Sequence, residues 1–322
     1  MPDIGIMFRL NDTSADPASQ YEAGLRLIEH AEAIGLDSAW ITSHHFRSDK
    51  GTISSPLLFL TAAGQRTSRI RLGAAVVLLT LEEPVRVAED AVVANLLSGD
   101  RLELGLGSGL EPWPFPGFGI DWEARHEVFD AKLARLRAAF AGADLGGGRQ
   151  LYPPPGPLRR RVWRIATNPA AATDIARHGE NLLLGSSKKL TAAQNKANRA
   201  AAIDAFREHA RPCQRILASR SIFVRPDAAV ARREFVAATP AGTPQEYKTA
   251  ALVGHPAEVR ARLEEDTEIP LVDDFLIQTI PAHLTRGQWQ GSLALAAHEI
   301  FPPGSPLRAT ARGIPQLHGT PA

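Results

Sequence analysis

Short runs of consecutive apolar residues alternate along the chain with stretches in which apolar positions recur every three or four residues. The first pattern suits strands buried on both faces, and the second marks amphipathic helices. Residues 4–8 read as the first strand. Asp16 is a good helix N-cap and Pro17 fits the first helical position; Tyr21, Leu25, Ile28 and Ala31 then share a face until Gly35. Residues 38–42 are the second strand, and Ser55-Pro56 opens a helix ending near 66–67. The third and fourth strands are 70–79 and 101–106, with a helix from Pro84 between them that aligns Val85, Ala88, Val92 and Leu96. A loop rich in Gly and Pro follows, then a helix over 122–140; residues 142–157 read as an excursion or a disordered segment. Four more strands are expected at 162–166, 181–184, 216–224 and 273–280. Helices are expected after them at 169–178, 191–209, 228–237 with 256–265, and 288–300.

Eight strand–helix units in strict order allow a closed barrel or an open doubly wound sheet. No early Gly-rich dinucleotide fingerprint is present and the last helix closes the chain, which favours a (β/α)8 TIM barrel with loop insertions at its C-terminal face. The 322 residues fit one such domain without a linker, and 303–322 read as an irregular tail. The connection 239–253, with Pro240, Gly242 and Pro244, is either a lid over the active face or a passive insertion.

Composition narrows the function classes. Hydrophobic residues make up 44% and charged residues 22%, enough for a full core. A net charge of +1 argues against a dedicated nucleic-acid binder. The runs Arg159-Arg160-Arg161 and Lys188-Lys189 read as solvated charges. The longest apolar stretch, 72–81, is about half the length that spans a bilayer. The first residues carry neither the basic nor the apolar region of a secretory signal, so a soluble, cytoplasmic protein is expected. The one cysteine, Cys213, precludes an intrachain disulfide and a Cys-based metal site, and it reads as structural.

Barrel chemistry gathers just past the C-terminal ends of the strands. After the second strand stand Thr42-Ser43-His44-His45-Phe46, where an imidazole titrating near neutrality suits acid–base work. The two histidines lack the i, i+2 spacing of a strand-borne metal pair, and no carboxylates stand at the strand ends, so no metal is expected. After the fourth strand, Leu104-Gly-Leu-Gly-Ser-Gly-Leu110 has neither the Lys and Ser/Thr of a phosphate loop nor dinucleotide-binding spacing. Its glycines either let backbone approach a flat ligand or simply make turns.

Several blocks carry a family resemblance. They are Trp40-Ile-Thr-Ser-His44-His45-Phe46, Ser55-Pro56-Leu57, the apolar run 70–79 and Glu83-Pro-Val-Arg-Val-Ala-Glu-Asp90. Leu97-Ser-Gly-Asp-Arg-Leu-Glu-Leu-Gly-Leu-Gly107, Phe118-Gly-Ile-Asp121 with Arg125, and Gly254-His-Pro-Ala-Glu-Val259 continue it. In this order they resemble the bacterial luciferase-like flavin-dependent monooxygenases, from residue 3 to about 302. The resemblance implies reduced FMN across the C-terminal mouth, delivered by a separate NAD(P)H:flavin reductase. It implies that O2 adds at the flavin C4a, and that the peroxyflavin oxidises an aldehyde or another small organic substrate.

The same resemblance implies an acid–base role for His44, with His45 in the wall. It implies cofactor contacts from Met7, Ala75, Val76, Gly107, Ser108, Arg125, Thr167, Asn168 and Ala171, and a cis peptide at Ala75–Val76. The turn 166–171 opens a helix whose N-terminus can hold an anion. A homodimer is implied through the helices after strands two and three, where Leu57, Leu60, Val93 and Leu97 exceed one core-facing stripe. There are departures. Ser43 stands where the family often has Glu, and Gly107 and Ser108 replace a Cys and a phosphate-contacting Arg. The same barrel also serves hydride transfer with the deazaflavin F420 and flavin binding without catalysis, and both remain alternatives.

Overall fold

Each expected apolar run forms a strand, and all the strands run the same way. The computed structural model describes residues 2–308 apart from 13–14, 48, 188 and 279–282. The strands are β1 (Asp3–Phe8), β2 (Ser38–Ile41), β3 (Arg71–Leu78), β4 (Leu102–Gly107), β5 (Val162–Ala166), β6 (Asn181–Leu184), β7 (Ile216–Val224), β8 (Leu252–Gly254) and β9 (Asp274–Gln278). Eight of them pair in parallel in the order β6-β5-β4-β3-β2-β1-β9-β7, and β7 returns to β6 to close the barrel. The last residue expected in β9, Ile280, lies outside the described residues, as does the tail from 309 onward.

Helices alternate with the strands: α1 (Pro17–Ala33), α2 (Pro56–Arg66), α3 (Pro84–Leu97), α4 (Arg125–Phe140), α5 (Pro169–Arg177), α6 (Ala192–His209), α7 (Ala228–Ala238), α8 (Gln245–Ala250), α9 (Pro256–Glu264) and α10 (Arg286–Leu295). Their starts follow from local chemistry. Asp16, Asn168, Thr191 and Thr285 each accept an orphan N–H of the first turn, and five of these helices begin with proline. Two segments left open by the sequence take definite form. Segment 142–157 is ordered, because Leu151 is buried and Leu145 packs on the core. Segment 239–253 contains α8, and β8 follows at its end; β8 pairs with Ile222–Val224 on the outside of the barrel, where Phe223, Ala231, Phe235 and Ala251 form a satellite core. Cys213, read as structural, is exposed in the turn before β7.

The barrel interior is layered. At its N-terminal end Arg71 pairs with Asp3, Glu103 and Asp274, and Arg215 pairs with Asp3 and Asp274. Burial disfavours the Arg71 charge, but Asp274 and Glu103 outweigh it and hold the guanidinium above its usual pKa. Above this floor Trp40 and Trp163 meet edge to face at 5.4 Å. The Trp163 indole N–H donates to Glu103 Oε2 at 2.6 Å, tying the aromatic layer to the charged one. Room for the rings comes from glycine: a methyl at Gly73 would lie 2.1 Å from the Trp40 ring. One at Gly5 would lie 2.2 Å from Ser38 Oγ. Met7, Ala75, Val76, Leu78, Leu183, Leu217 and Leu276 pack around the tryptophans.

Candidate active site at the barrel mouth

Because every barrel strand is parallel, His44, Gly107 and Asn168, which follow or end β2, β4 and β5, open on one end. His44 is held by its backbone N–H, which donates to Ile53 O at 2.9 Å. Its ring lies against Gly51, where an added methyl would come within 2.8 Å of the imidazole Cδ2. Burial lowers the His44 pKa to about 4, reinforced by Arg9, His45 and Lys50 and opposed by Glu111. The ring is therefore neutral at physiological pH, with one nitrogen able to accept a proton and the other to donate a hydrogen bond.

His45 turns the other way. It is buried, meets the Phe118 ring edge to face at 5.1 Å, and its carbonyl accepts from the Trp113 indole at 3.2 Å. Phe46 stacks on Phe118 at 5.5 Å, and Arg47 covers Trp113 at 5.2 Å. These contacts fold the 109–118 loop over the end of β2 as an aromatic rim. Phe46 takes a φ of 61°, and Gly117 opposite it must lack a side chain, since a methyl there would sit 2.6 Å from the Phe46 ring.

The floor of the mouth is apolar on the side of β3 and β4. Ala75 and Val76 pack on the tryptophan layer, the Ala75–Val76 peptide is cis, and the β3–β4 register shifts between Ala74 and Val77. A methyl on Gly107 would meet Val76 Cγ2 at 2.5 Å. Ser43 Oγ donates to Val76 O at 2.6 Å, so this serine ties the segment after β2 to β3. The Ser108 carbonyl accepts from Thr80 Oγ1 at 3.1 Å.

Two hydroxyls there have no partner among the described residues. Thr42 Oγ1 and Ser221 Oγ are both buried without a hydrogen bond. By the alternation of a strand, Thr42 shares the inward face of Trp40, and Ser221 that of Leu217 and Ser219. A buried hydroxyl without a partner costs about 1–3 kcal/mol, so these atoms fit a site whose hydrogen bonds are completed by a bound group. Neither was singled out in the sequence. The signal for Ser221 was the polar run Ser219-Arg220-Ser221 interrupting an otherwise apolar strand.

The remaining residues fall in two places. Thr167, Asn168 and Ala171 stand together at the α5 N-terminus. There Asn168 Oδ1 accepts from the Ala171 N–H at 2.9 Å, and the Thr167 carbonyl accepts from Asn198 Nδ2 at 3.2 Å. Arg125 stands at the start of α4, its guanidinium 3.8 Å from the Trp122 ring centre, with Nε buried and unpartnered.

Comparison with known proteins decides the family. The luciferase-like monooxygenase family model matches residues 4–269. The chain belongs to the luciferase-like monooxygenase family. Among curated relatives, 4-hydroxyprotoasukamycin monooxygenase of Streptomyces nodosus subsp. asukaensis is 40% identical over 112 residues, 35% of this chain and 30% of that protein. The F420-dependent glucose-6-phosphate dehydrogenase of Amycolatopsis mediterranei is 33% identical over 130 residues, 38% of each chain. The chain thus spans well under two thirds of the length of these curated relatives. Among solved structures, the oxygenating constituent of 3,6-diketocamphane monooxygenase from a Pseudomonas putida plasmid, in complex with FMN, superposes with a TM-score of 0.74 at 15% identity. That likeness covers 93% of this chain and 97% of the other, and it shows the barrel fold. In this fold the C-terminal strand ends, where His44, Gly107 and Asn168 open, form the mouth at which sites are built.

Proposed function

We propose that the protein is a flavin-dependent monooxygenase that takes reduced FMN from a separate NAD(P)H:flavin reductase and oxygenates a small organic substrate, such as an aldehyde. The observation that carries this reading is the mouth itself: a neutral, half-buried His44 together with an apolar floor and two hydroxyls without a partner among the described residues. Bound there, the reduced flavin supplies the two electrons that activate O2. The balance is substrate, O2, two electrons and two protons giving oxygenated substrate and water. The protein's own residues do the rest. Met7, Ala75, Val76 and Gly107 offer the ring an apolar bed and, with the aromatic rim, exclude water. Thr42 and Ser221 offer hydrogen bonds to its polar edge. Ser108, Thr167, Asn168 and Ala171, with Arg125, hold the phosphate end, the helix N-terminus adding its partial positive charge. Asn168 already occupies the Ala171 N–H, so a phosphate there must share it or displace the amide. His44 moves the proton that the oxygen transfer requires.

A second reading, hydride transfer with F420, is favoured by the match to the F420-dependent dehydrogenase. Anaerobic titration of the protein with reduced FMN and with reduced F420 separates the two. Tighter binding of reduced FMN, followed by substrate-dependent O2 uptake, is the expected result. Binding of reduced F420 with no affinity for FMN overturns the proposal.

A further inference from the structure

Behind β1, beside the mouth, lies a cavity of about 140 Å³ between the β1–α1 connection and α10. One water needs only about 10–15 Å³, so the space suits a group of several heavy atoms. Met7 lines it from the tryptophan-layer side, and Leu10, Gly24 and Leu27 line its apolar wall. Its polar lining is rich in donors. Asn11 and Trp289 both line it, and Asn11 Nδ2 and Trp289 Nε1 are buried with no hydrogen-bond acceptor among the described residues. Trp289 is only 5% exposed, so its indole N–H has no recourse to bulk water.

Arg9 enters the same cavity. It has no hydrogen-bond or ion-pair partner among the described residues, and burial lowers its pKa. Its charge reaches both His44 and His283, depressing each. Arg286 and His283 stand at the rim, and the one carboxylate in the lining, Asp12, is exposed and already engaged. A guanidinium and two N–H groups around one space, none with a partner among the described residues, form an unfavourable arrangement when nothing accepts from them. An anionic group with two acceptor oxygens relieves all three, and a guanidinium fork matches a carboxylate best.

We infer that this cavity is a subsite for a carboxylate end of the substrate, held by Arg9, Asn11 Nδ2 and Trp289 Nε1. The inference rests on the proposed function, since it gives the substrate of that mouth a chemical class: a small organic acid whose other end lies toward His44. Arg9 and Trp289 are positioning residues in this scheme.

Fluorine NMR of flavin-free protein labelled with 5-fluorotryptophan tests it, because the chain has five tryptophans and the Trp289 signal is identified by Trp289→Phe. Acetate, butanoate, octanoate and benzoate are titrated, each against its methyl ester. The expected result is a saturable shift of the Trp289 signal with at least one carboxylate and binding at least tenfold weaker for its ester. Arg9→Gln and Asn11→Asp are expected to weaken that carboxylate at least tenfold, while their melting curves show a folded protein. A Trp289 signal unmoved by all four acids, equal binding of acid and ester, or full affinity in folded Arg9→Gln overturns the subsite. The readout needs no cofactor, so a failure of flavin binding in the separate titration leaves this result standing on its own.

Discussion

At the scale of single residues the decisive contrast is between neighbouring histidines. His44 and His45 are indistinguishable by type, yet strand alternation and the aromatic rim send one ring to the mouth and the other into the wall. For His44 the ordinary value is 6.5 and the folded value about 4. The unfolded chain therefore binds a proton at this position over a window in which the native state does not, and stability falls as pH drops. The contribution of neutral His44 is full above pH 6.5 and is lost progressively down to about 4. His44→Asn is expected to flatten that part of the profile, so urea denaturation at several pH values should bring parent and variant together toward pH 4. An imidazole NMR titration with a midpoint near the ordinary value would contradict it. His44→Ala is expected to slow turnover about 10²–10⁴-fold while reduced FMN binds within a few-fold. His45→Ala should act mainly through stability, because its ring packs on Phe118. Stopped-flow kinetics of the two variants, read beside their melting temperatures, separates a lost acid–base group from a collapsed wall.

At the scale of elements, the barrel depends on small residues facing large ones across adjacent strands. Gly73 on β3 faces the Trp40 ring from β2, and the ring cannot retreat because Trp163 stands against it. Gly73→Ala is expected to cost about 3 kcal/mol or more, the upper end for overpacking. Trp40→Leu in the same chain should recover at least about 1 kcal/mol relative to the sum of the single changes, the signature of direct contact. Additive effects in a denaturant double-mutant cycle would refute the packing argument. At the barrel floor, Asp274→Asn leaves Arg71 and Arg215 short of a counter-charge. It is expected to cost about 3–5 kcal/mol in the midpoint analysis of urea unfolding.

These elements also show what the sequence could disclose. Strand and helix order was legible, because buried runs and capped amphipathic segments obey short-range periods. The capping residues Asp16 and Asn168 stand where expected, since an N-cap is a local event. The charged floor was not legible. Asp3, Arg71, Glu103, Arg215 and Asp274 lie up to 271 positions apart in the chain, and each stands as a lone charge beside or near the start of an apolar run. Only closure of the barrel brings them to one level. Arg9 escaped notice for the same reason: its lack of a partner is a property of the folded surroundings. Residues 57 and 60 were misread as outward-facing, because α2 is apolar on more than one side. The structure buries both and turns Leu58 outward instead.

At the scale of the whole molecule that correction sharpens the question of assembly. No helix among the described residues is long and apolar enough to cross a membrane, and α2 and α3 expose several apolar side chains. Leu58 on α2 is 74% exposed, and on α3 Val93, Leu96 and Leu97 are 44%, 53% and 53% exposed. The α3 positions follow the three- and four-residue spacing of one helical face. Gln65, two turns from Leu58 on α2, donates from its side-chain amide to the Leu97 carbonyl at 2.6 Å. The two exposed faces therefore adjoin in one patch. Toward the N-terminal end of α3 the same face carries Arg86 paired with Glu89 and Asp90, a polar border for an apolar centre. Contiguous apolar patches of this kind mark interaction surfaces, and a patch that meets its own copy about a two-fold axis needs no other partner. We propose a symmetric homodimer through α2 and α3. Light scattering of the intact protein at micromolar concentration is expected to give twice the 34.7 kDa chain mass. Leu58→Asp with Leu96→Asp should convert it to a monomer that keeps its melting cooperativity, because neither side chain belongs to the core. A parent chain that scatters as a monomer, or a charged variant that stays dimeric, would place the interface elsewhere and leave this patch without a role in assembly.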